Sequence, residues 1–266
     1  MKVVIIGTGN VATVLGKKIL TGGHEIIQVV GRNVEDAHKL GSILKCAVVY
    51  NIRYINTYGD IYIVAVSDSA IDIISSKLIL SDKTVVHTAA SVPKEVLKHS
   101  SQNYGVLYPL QSLKKEVDII PAIPVLIDAN NETTLELLKG FAEDWADSVQ
   151  VANDEERLKL HVAAVFVSNF TNHLFTISND FCEKEQLNFK LLYPLIEETM
   201  ERIKAADPFT VQTGPAIRKD TRTIELHKHI LTAYPRFEEL YNVMTGSIID
   251  FYEGRNYNTE KPESGA

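Results

Sequence analysis

The feature that most constrains this chain is its amino terminus. Val3-Val4-Ile5-Ile6 is a short apolar, β-branched run that stops at Gly7, and Gly7-Thr8-Gly9-Asn10-Val11-Ala12 follows at once. Such a run marks a strand buried on both faces of a parallel sheet. Val11 to Thr21 has helical composition and ends at Gly22-Gly23. The small residues have separable jobs in a dinucleotide cradle. Gly7 permits the tight turn, Gly9 removes a Cβ from the path of a pyrophosphate, and Ala12 keeps helix and strand close. The helix start offers free N–H groups and the positive end of its dipole to phosphates. Gly7, Thr8, Gly9, Asn10 and Val11 are therefore candidate cofactor contacts. Strand before, helix after and terminal position lift the pattern above an ordinary strand-to-helix turn.

The βα alternation continues through the first half. A strand is expected at Glu25 to Val30, ending in Gly31-Arg32-Asn33. An acid near this point, roughly 20 residues past the glycines, suits a free ribose 2′-hydroxyl, whereas an Arg suits a 2′-phosphate. Arg32 lies 23 positions after Gly9 and no acid occupies the strand end. NADP(H) is thus favoured over NAD, with Arg32 and Asn33 as contacts, although one charge can also be a solvated loop cation. Val34 to Leu44 reads as a helix, and strands are expected near Cys46 to Tyr50, Asp60 to Val66, Thr84 to His87 and Val106 to Tyr108. Ligands bind beyond the carboxyl ends of such strands, so Val66 and Ser67 should border the cofactor. His87 and Ser91, in the loop after one strand, and Gln111, after another, are candidate substrate contacts; His87 could equally be hydrogen-bonded structure. Pro124 to Asp128, a helix from Asn131 to Trp145, and Ser148 to Val151 complete a last β-α-β unit.

Beyond Asn153 only helical stretches follow: Asp154 to Cys182, Phe189 to Ala206, Thr221 to Ala233 and Arg236 to Tyr252. The expected division is a doubly wound parallel α/β domain over 1–152, an all-helical substrate and dimerisation domain over 153–256, and a tail over 257–266. At about 100° per residue, His161, Ser168, Asn172, Thr176 and Asn179 form one stripe with Asn169 on its shoulder, and apolar residues fill the opposite arc. An outward wet face is one reading. The absence of Lys, Glu and Arg from the stripe favours a pocket or a subunit interface. Thr213-Gly214-Pro215 through His227 holds Arg218, suited to gripping a carboxylate or phosphate, and Asp220, suited to capping a helix. A plain helix-turn-helix is the alternative.

Composition excludes some classes. The 266 residues carry a net charge of −7 without a basic block, which argues against nucleic acid or an anionic membrane as partner. No apolar run approaches the ~18 residues of a membrane span, and the first residues lack a signal peptide's basic region and cleavage site. Cys46 and Cys182 form no C-x-x-C pattern, so free thiols in a reducing cytoplasm are expected. No metal site is expected.

Together Gly7-Thr8-Gly9-Asn10-Val11-Ala12, Val66-Ser67-Asp68-Ser69-Ala70-Ile71, Tyr108-Pro109-Leu110-Gln111-Ser112, His161-Val162-Ala163-Ala164-Val165 with Ser168-Asn169, and Thr213-Gly214-Pro215 with Arg218, Asp220 and His227 resemble one family. It comprises Rossmann-like proteins with a C-terminal helical domain of unknown function. They fall in the superfamily of pyrroline-5-carboxylate reductase, 6-phosphogluconate and β-hydroxyacid dehydrogenases, and deazaflavin-dependent NADP reductases. The resemblance spans roughly Lys2 to Tyr252 and implies an NADP oxidoreductase, commonly a homodimer, holding a small-molecule substrate between its domains. Tyr108 stands where the family often has His, and Lys219 where it often has Gly. The Lys-x-x-x-Asn pair of the hydroxyacid dehydrogenases is absent, since Val165 stands four residues after His161.

The expected chemistry is hydride transfer between nicotinamide and a small, anionic C=O or C=N substrate, which leaves orientation and proton supply to the protein. An imidazole, with its ordinary pKa of ~6.5, makes His161 the best proton donor or acceptor. Asn169 and Asn172 would orient polar atoms, Arg218 would hold the anion, and Asp220 would position Arg218. A non-catalytic NADP(H) sensor would use the same glycine loop, and a deazaflavin or flavin in the cradle is a weaker third option.

Overall fold

The computed structural model describes residues 1–117 and 119–256; the expected tail 257–266 lies outside the described residues. Contact density divides the chain into two compact units, Met1–Thr171 and Asn172–Ala266.

The first unit is built on one eight-stranded sheet. Its elements are β1 (Lys2–Ile6), α1 (Asn10–Thr21), β2 (Glu25–Val30), α2 (Val34–Leu44), β3 (Ala47–Val49), β4 (Ile61–Val64), α3 (Asp68–Ser75), β5 (Thr84–His87), β6 (Asn103–Pro109), β7 (Pro124–Ala129), α4 (Glu132–Glu143) and β8 (Ser148–Val151). The spatial order is β3-β2-β1-β4-β5-β6-β7-β8. The expected wholly parallel sheet needs one correction: β6 and β7 pair antiparallel, while every other neighbouring pair is parallel. A local apolar run is the same for either direction, so strand patterning is silent on this reversal.

Alternation along β1 feeds two cores, because successive strand side chains point to opposite faces. Val3 and Ile5 pack with Leu15, Ile19, Leu40, Leu44, Leu138 and Phe141 from α1, α2 and α4. Val4 and Ile6 pack with Tyr62, Val64, Ile71, Leu78 and Leu97 on the other face. β1 lies between β2 and β4, where the order reverses. That switch point opens a crevice at the strands' carboxyl ends.

Helix α5 (Asp154–Ala164) starts at a capping box, with the Asn153 side chain accepting from Glu156 N–H and Glu156 reaching back to Asn153 N–H. It clusters with the first unit although its composition belongs to the helical half. Next comes a π-helical turn, Val165–Phe170. Its wider i→i+5 hydrogen bonding holds more residues per turn than an α-helix, so the uniform phase that joined His161 to Ser168, Asn172, Thr176 and Asn179 in one stripe is broken there.

The second unit contains most of α6 (Thr171–Lys184), with α7 (Tyr193–Ala205), α8 (Thr221–Leu231) and α9 (Pro235–Asn256). α8 and α9 meet through His227 Nδ1 and the Tyr241 hydroxyl, 2.9 Å apart. Cys46 and Cys182 are free, and burial pushes the Cys46 thiol up to about 11. No helix among the described residues is long and apolar enough to cross a membrane.

Candidate cofactor cleft and catalytic site

The crevice at the switch point is a cleft of about 1270 Å³. Gly7, Thr8, Gly9, Asn10, Val11, Arg32, Asn33, Val66 and Ser67, the nine residues expected to touch a cofactor, all line it. Gly7 has φ +127°, and a Cβ there would lie 2.0 Å from the Ala65 carbonyl oxygen. Gly9 differs: a Cβ there would meet nothing within 4 Å. It borders open space that a pyrophosphate can fill. α1 starts without a side-chain cap and without an acid in its first turn, which leaves its N–H groups and dipole directed at that space. The cradle fits a dinucleotide.

The ionised side chains that line the cleft are all cations. Arg32, Arg53 and Lys77 line it, and no Asp or Glu is among the lining residues. The acids that follow Asn33 on α2 are engaged elsewhere: Glu35 with Lys39 at 2.6 Å, and Asp36 with Lys115 at 3.8 Å. Asn33 spends its side chain on capping α2, accepting from Asp36 N–H at 3.0 Å. Asn10 accepts from Lys115 N–H at 3.2 Å.

The carboxyl ends of adjacent strands β4, β5 and β6 present Ser67-Asp68, His87 to Ser91, and Tyr108. Ser91 Oγ donates to Asp68 Oδ2 at 2.5 Å. Tyr108, half-buried at the end of β6, has its hydroxyl 3.0 Å from His161 Nδ1 on α5. The rings meet edge to face. Burial, reinforced by the negative charge of Asp68, pushes the Tyr108 phenol above its ordinary value, with Arg157 acting in the opposite sense. Tyr108 thus stays protonated at neutral pH.

His87, expected as a substrate contact, is instead fully buried. Its Nδ1 accepts from Ala89 N–H at 3.2 Å, and Nε2 has no hydrogen-bond partner among the described residues. Burial, with the nearby Arg157 cation, lowers its pKa to about 4. It is a neutral core imidazole. Gln111 is held within its own loop, donating to Ala122 O at 2.8 Å while accepting from Ser112 N–H.

Arg157 anchors α5. Fully buried, it donates from Nε to Ala90 O at 3.1 Å, and from Nη2 to Val92 O at 2.7 Å and Asp154 Oδ1 at 2.6 Å. The two carbonyls flank Ser91, and His161 lies one helical turn beyond Arg157. One guanidinium therefore ties the β5 loop to the helix that carries His161.

Asn169, in the π-helical turn, is exposed. In the second unit Asn172 and Arg218 are exposed, and Asp220 caps α8, accepting from Thr223 N–H at 3.1 Å and Thr223 Oγ1 at 2.7 Å. Those Thr223 hydrogen bonds, with Arg218 nearby, hold the Asp220 carboxyl below its usual range.

Arg53, Lys77, Arg157 and the pairing of Tyr108 with His161 escaped the sequence reading. Arg157 ends an Asp-Glu-Glu-Arg run that reads as a solvated helix start. Tyr108 stood out only as a departure from the family's His.

Residues 2–91 match the NADP oxidoreductase, coenzyme F420-dependent, family, and residues 123–248 match a domain of unknown function, DUF2520. A Bacteroides fragilis protein provisionally described as an NADP oxidoreductase is 34% identical, with a TM-score of 0.85 over 94% of this chain and 98% of its own. A Thermotoga maritima protein at 20% identity gives 0.73 over 96% and 99%. A reductive aminase from Aspergillus terreus, solved with NADPH and ethyl levulinate, shares the fold at 15% identity and 0.67 over 95% and 94%. Among curated proteins no relative matches the chain. With the cradle, the uncapped α1 terminus and the cationic cleft already fitting the cofactor, the chain belongs to the NADP(H)-binding oxidoreductases that join a Rossmann domain to a DUF2520 helical domain.

Proposed function

We propose that this NADP oxidoreductase reduces, or in reverse oxidises, a small C=O or C=N substrate, with His161 as the proton-handling residue and Tyr108 as its orienting partner. The carrying observation is the 3.0 Å contact between the Tyr108 hydroxyl and His161 Nδ1 beside the carboxyl ends of β4 to β6. NADPH, when bound, supplies the hydride. In this reading the phenol O–H donates to Nδ1, which puts the ring proton on Nε2, the nitrogen turned away from Tyr108. Asn169 orients the substrate's polar atoms. The likeness to a reductive aminase favours C=N over C=O. Substrate charge is a separate part of the proposal: Arg218 would hold an anionic group, and Arg218→Gln would raise KM for acidic substrates alone. The protein acts as a homodimer through its helical half.

The test is NADPH oxidation against a panel of small ketones, keto acids and cyclic imines. On a substrate found this way, His161→Ala should lower turnover by ~10²-fold with NADPH affinity retained. Tyr108→Phe should lower it less and displace the pH profile. Full turnover in His161→Ala would remove His161 from the mechanism.

A further inference from the structure

Arg32 is not the cleft's only cation near the ribose end. β2 and β3 finish on the paired rung Val30↔Val49, and Gly31 N–H donates to Val49 O at 3.0 Å. Arg32 follows that rung by two residues on one strand. Arg53 follows it by four on the other, in a 3₁₀ turn, Ile52–Tyr54. Asn51 opens the turn by accepting from Arg53 N–H at 3.0 Å. The turn is braced from below by Gln28 of β2, a polar side chain only 5% exposed. Its Nε2 donates to Tyr54 O at 3.2 Å, and its Oε1 accepts from Asn56 N–H at 2.7 Å. The amide makes the two bonds a strand neighbour would make, so the backbone beside Arg53 is fixed before any ligand arrives.

We propose that Arg53 is a second cofactor-selecting residue, gripping the 2′-phosphate of NADP(H) from the β3 side while Arg32 grips it from the β2 side. Both guanidiniums are exposed in one cleft, and neither has a carboxylate ion-pair partner among the described residues. A phosphate monoester carries about −1.5 to −2 charges near neutral pH. One guanidinium leaves up to roughly half of that unbalanced, and two on different strand ends neutralise it. Planar forks also suit phosphate oxygens better than an ammonium does. A bare 2′-hydroxyl would leave both cations without their counter-charge. The inference rests on the cofactor alone and is independent of His161 and of the substrate.

Calorimetric titration of the full chain with NADPH, NADH, adenosine 2′,5′-bisphosphate and AMP tests it. Arg53→Gln should weaken NADPH and the bisphosphate ~10- to 100-fold, as expected for charge-assisted hydrogen bonds. NADH and AMP should stay within about twofold, which also reports an intact fold. Arg53→Lys should fall between, and Gln28→Met should reproduce part of the loss by loosening the turn. Lys77→Gln serves as the control for the cleft's general field. Equal weakening of NADPH and NADH by Arg53→Gln, no weakening of either, or an equal NADPH-specific loss in Lys77→Gln would overturn the assignment.

Discussion

Gly7 and Gly9 are two positions apart and respond to a side chain in opposite ways. At Gly7 a Cβ would strike the Ala65 carbonyl and the backbone lies at φ +127°. Gly7→Ala should cost at least ~3 kcal/mol, read from urea unfolding, because both sterics and a left-handed conformation oppose it. Gly9 has ordinary extended backbone, φ −81° and ψ −170°, with open space at its Cβ. Gly9→Val should therefore fold within ~1 kcal/mol of wild type and lose NADPH affinity by ~10²-fold or more. A stable Gly9→Val that binds NADPH normally would place the pyrophosphate elsewhere. His87 makes the other residue-scale prediction. The unfolded chain takes up a proton on this imidazole near pH 6.5, but the folded chain refuses it until about pH 4. The stability carried by neutral His87 is complete above the unfolded value and is lost as pH falls toward the folded one. Between pH 7 and 5 the loss is about 2 kcal/mol. His87→Gln should flatten that decline relative to wild type. His24, also held below its ordinary value mainly by burial, adds the same sign to both proteins and cancels in the difference.

At the scale of elements, what was legible in the sequence and what was not separate by physical cause. Glu25–Val30, Val34–Leu44, Thr84–His87 and Ser148–Val151 begin and end where expected, three of them marked at one end by Gly31, Asn33 or Asp147 and the fourth by its own β-branched run. The cofactor cleft was legible for the same reason: its cradle is one local motif. Features depending on a distant partner were hidden. The Arg53 turn is shaped by Gln28, 25 positions earlier, and His161 meets Tyr108 across 53 positions. The π-helical turn has no local signature. Arg157 is the sharpest case, a buried cation in a charged run. It makes α5 an outgrowth of the Rossmann unit through two hydrogen bonds to the β5 loop, while its pairing with Asp154 stays within α5. Arg157→Met should destabilise the chain by about 3–5 kcal/mol, because Asp154 loses its countercharge and two carbonyls lose donors. Arg157→Lys should recover only part, since an ammonium cannot span the same acceptors as a fork. Hydrogen exchange should quicken in α5 in Arg157→Met before it does in β1 and β4. Unchanged α5 protection would mean that apolar packing alone seats the helix.

At the scale of the whole molecule, the two units differ in how much apolar surface each encloses. The Rossmann unit has two cores, one on each face of its sheet. In the second unit only Cys182, Ala216 and Ile224 are buried apolar residues among those described, while Leu191 is 76% exposed and Leu187, Leu195, Leu226, Ile230 and Val243 are also open. The end of the first unit adds Val162, Phe166, Val167 and Phe170, with Phe166 61% and Val167 74% exposed. A helical segment of this size with so little enclosed surface lacks the burial that offsets chain entropy. Apolar side chains left open in such number point to surface that another molecule covers. The occupant proposed is a second copy, because the unburied side chains run through α7, α8 and α9, and a twofold partner can cover them with the same residues. Light scattering should give twice the chain mass at micromolar concentration, and the melting temperature should rise with concentration as dimer dissociation couples to unfolding. Phe166→Glu with Val167→Glu should shift the mass toward monomer while NADPH binding by the Rossmann cradle persists. A wild-type chain that stays monomeric, with a concentration-independent melt, would leave these helices without the covering copy and would sink the dimer.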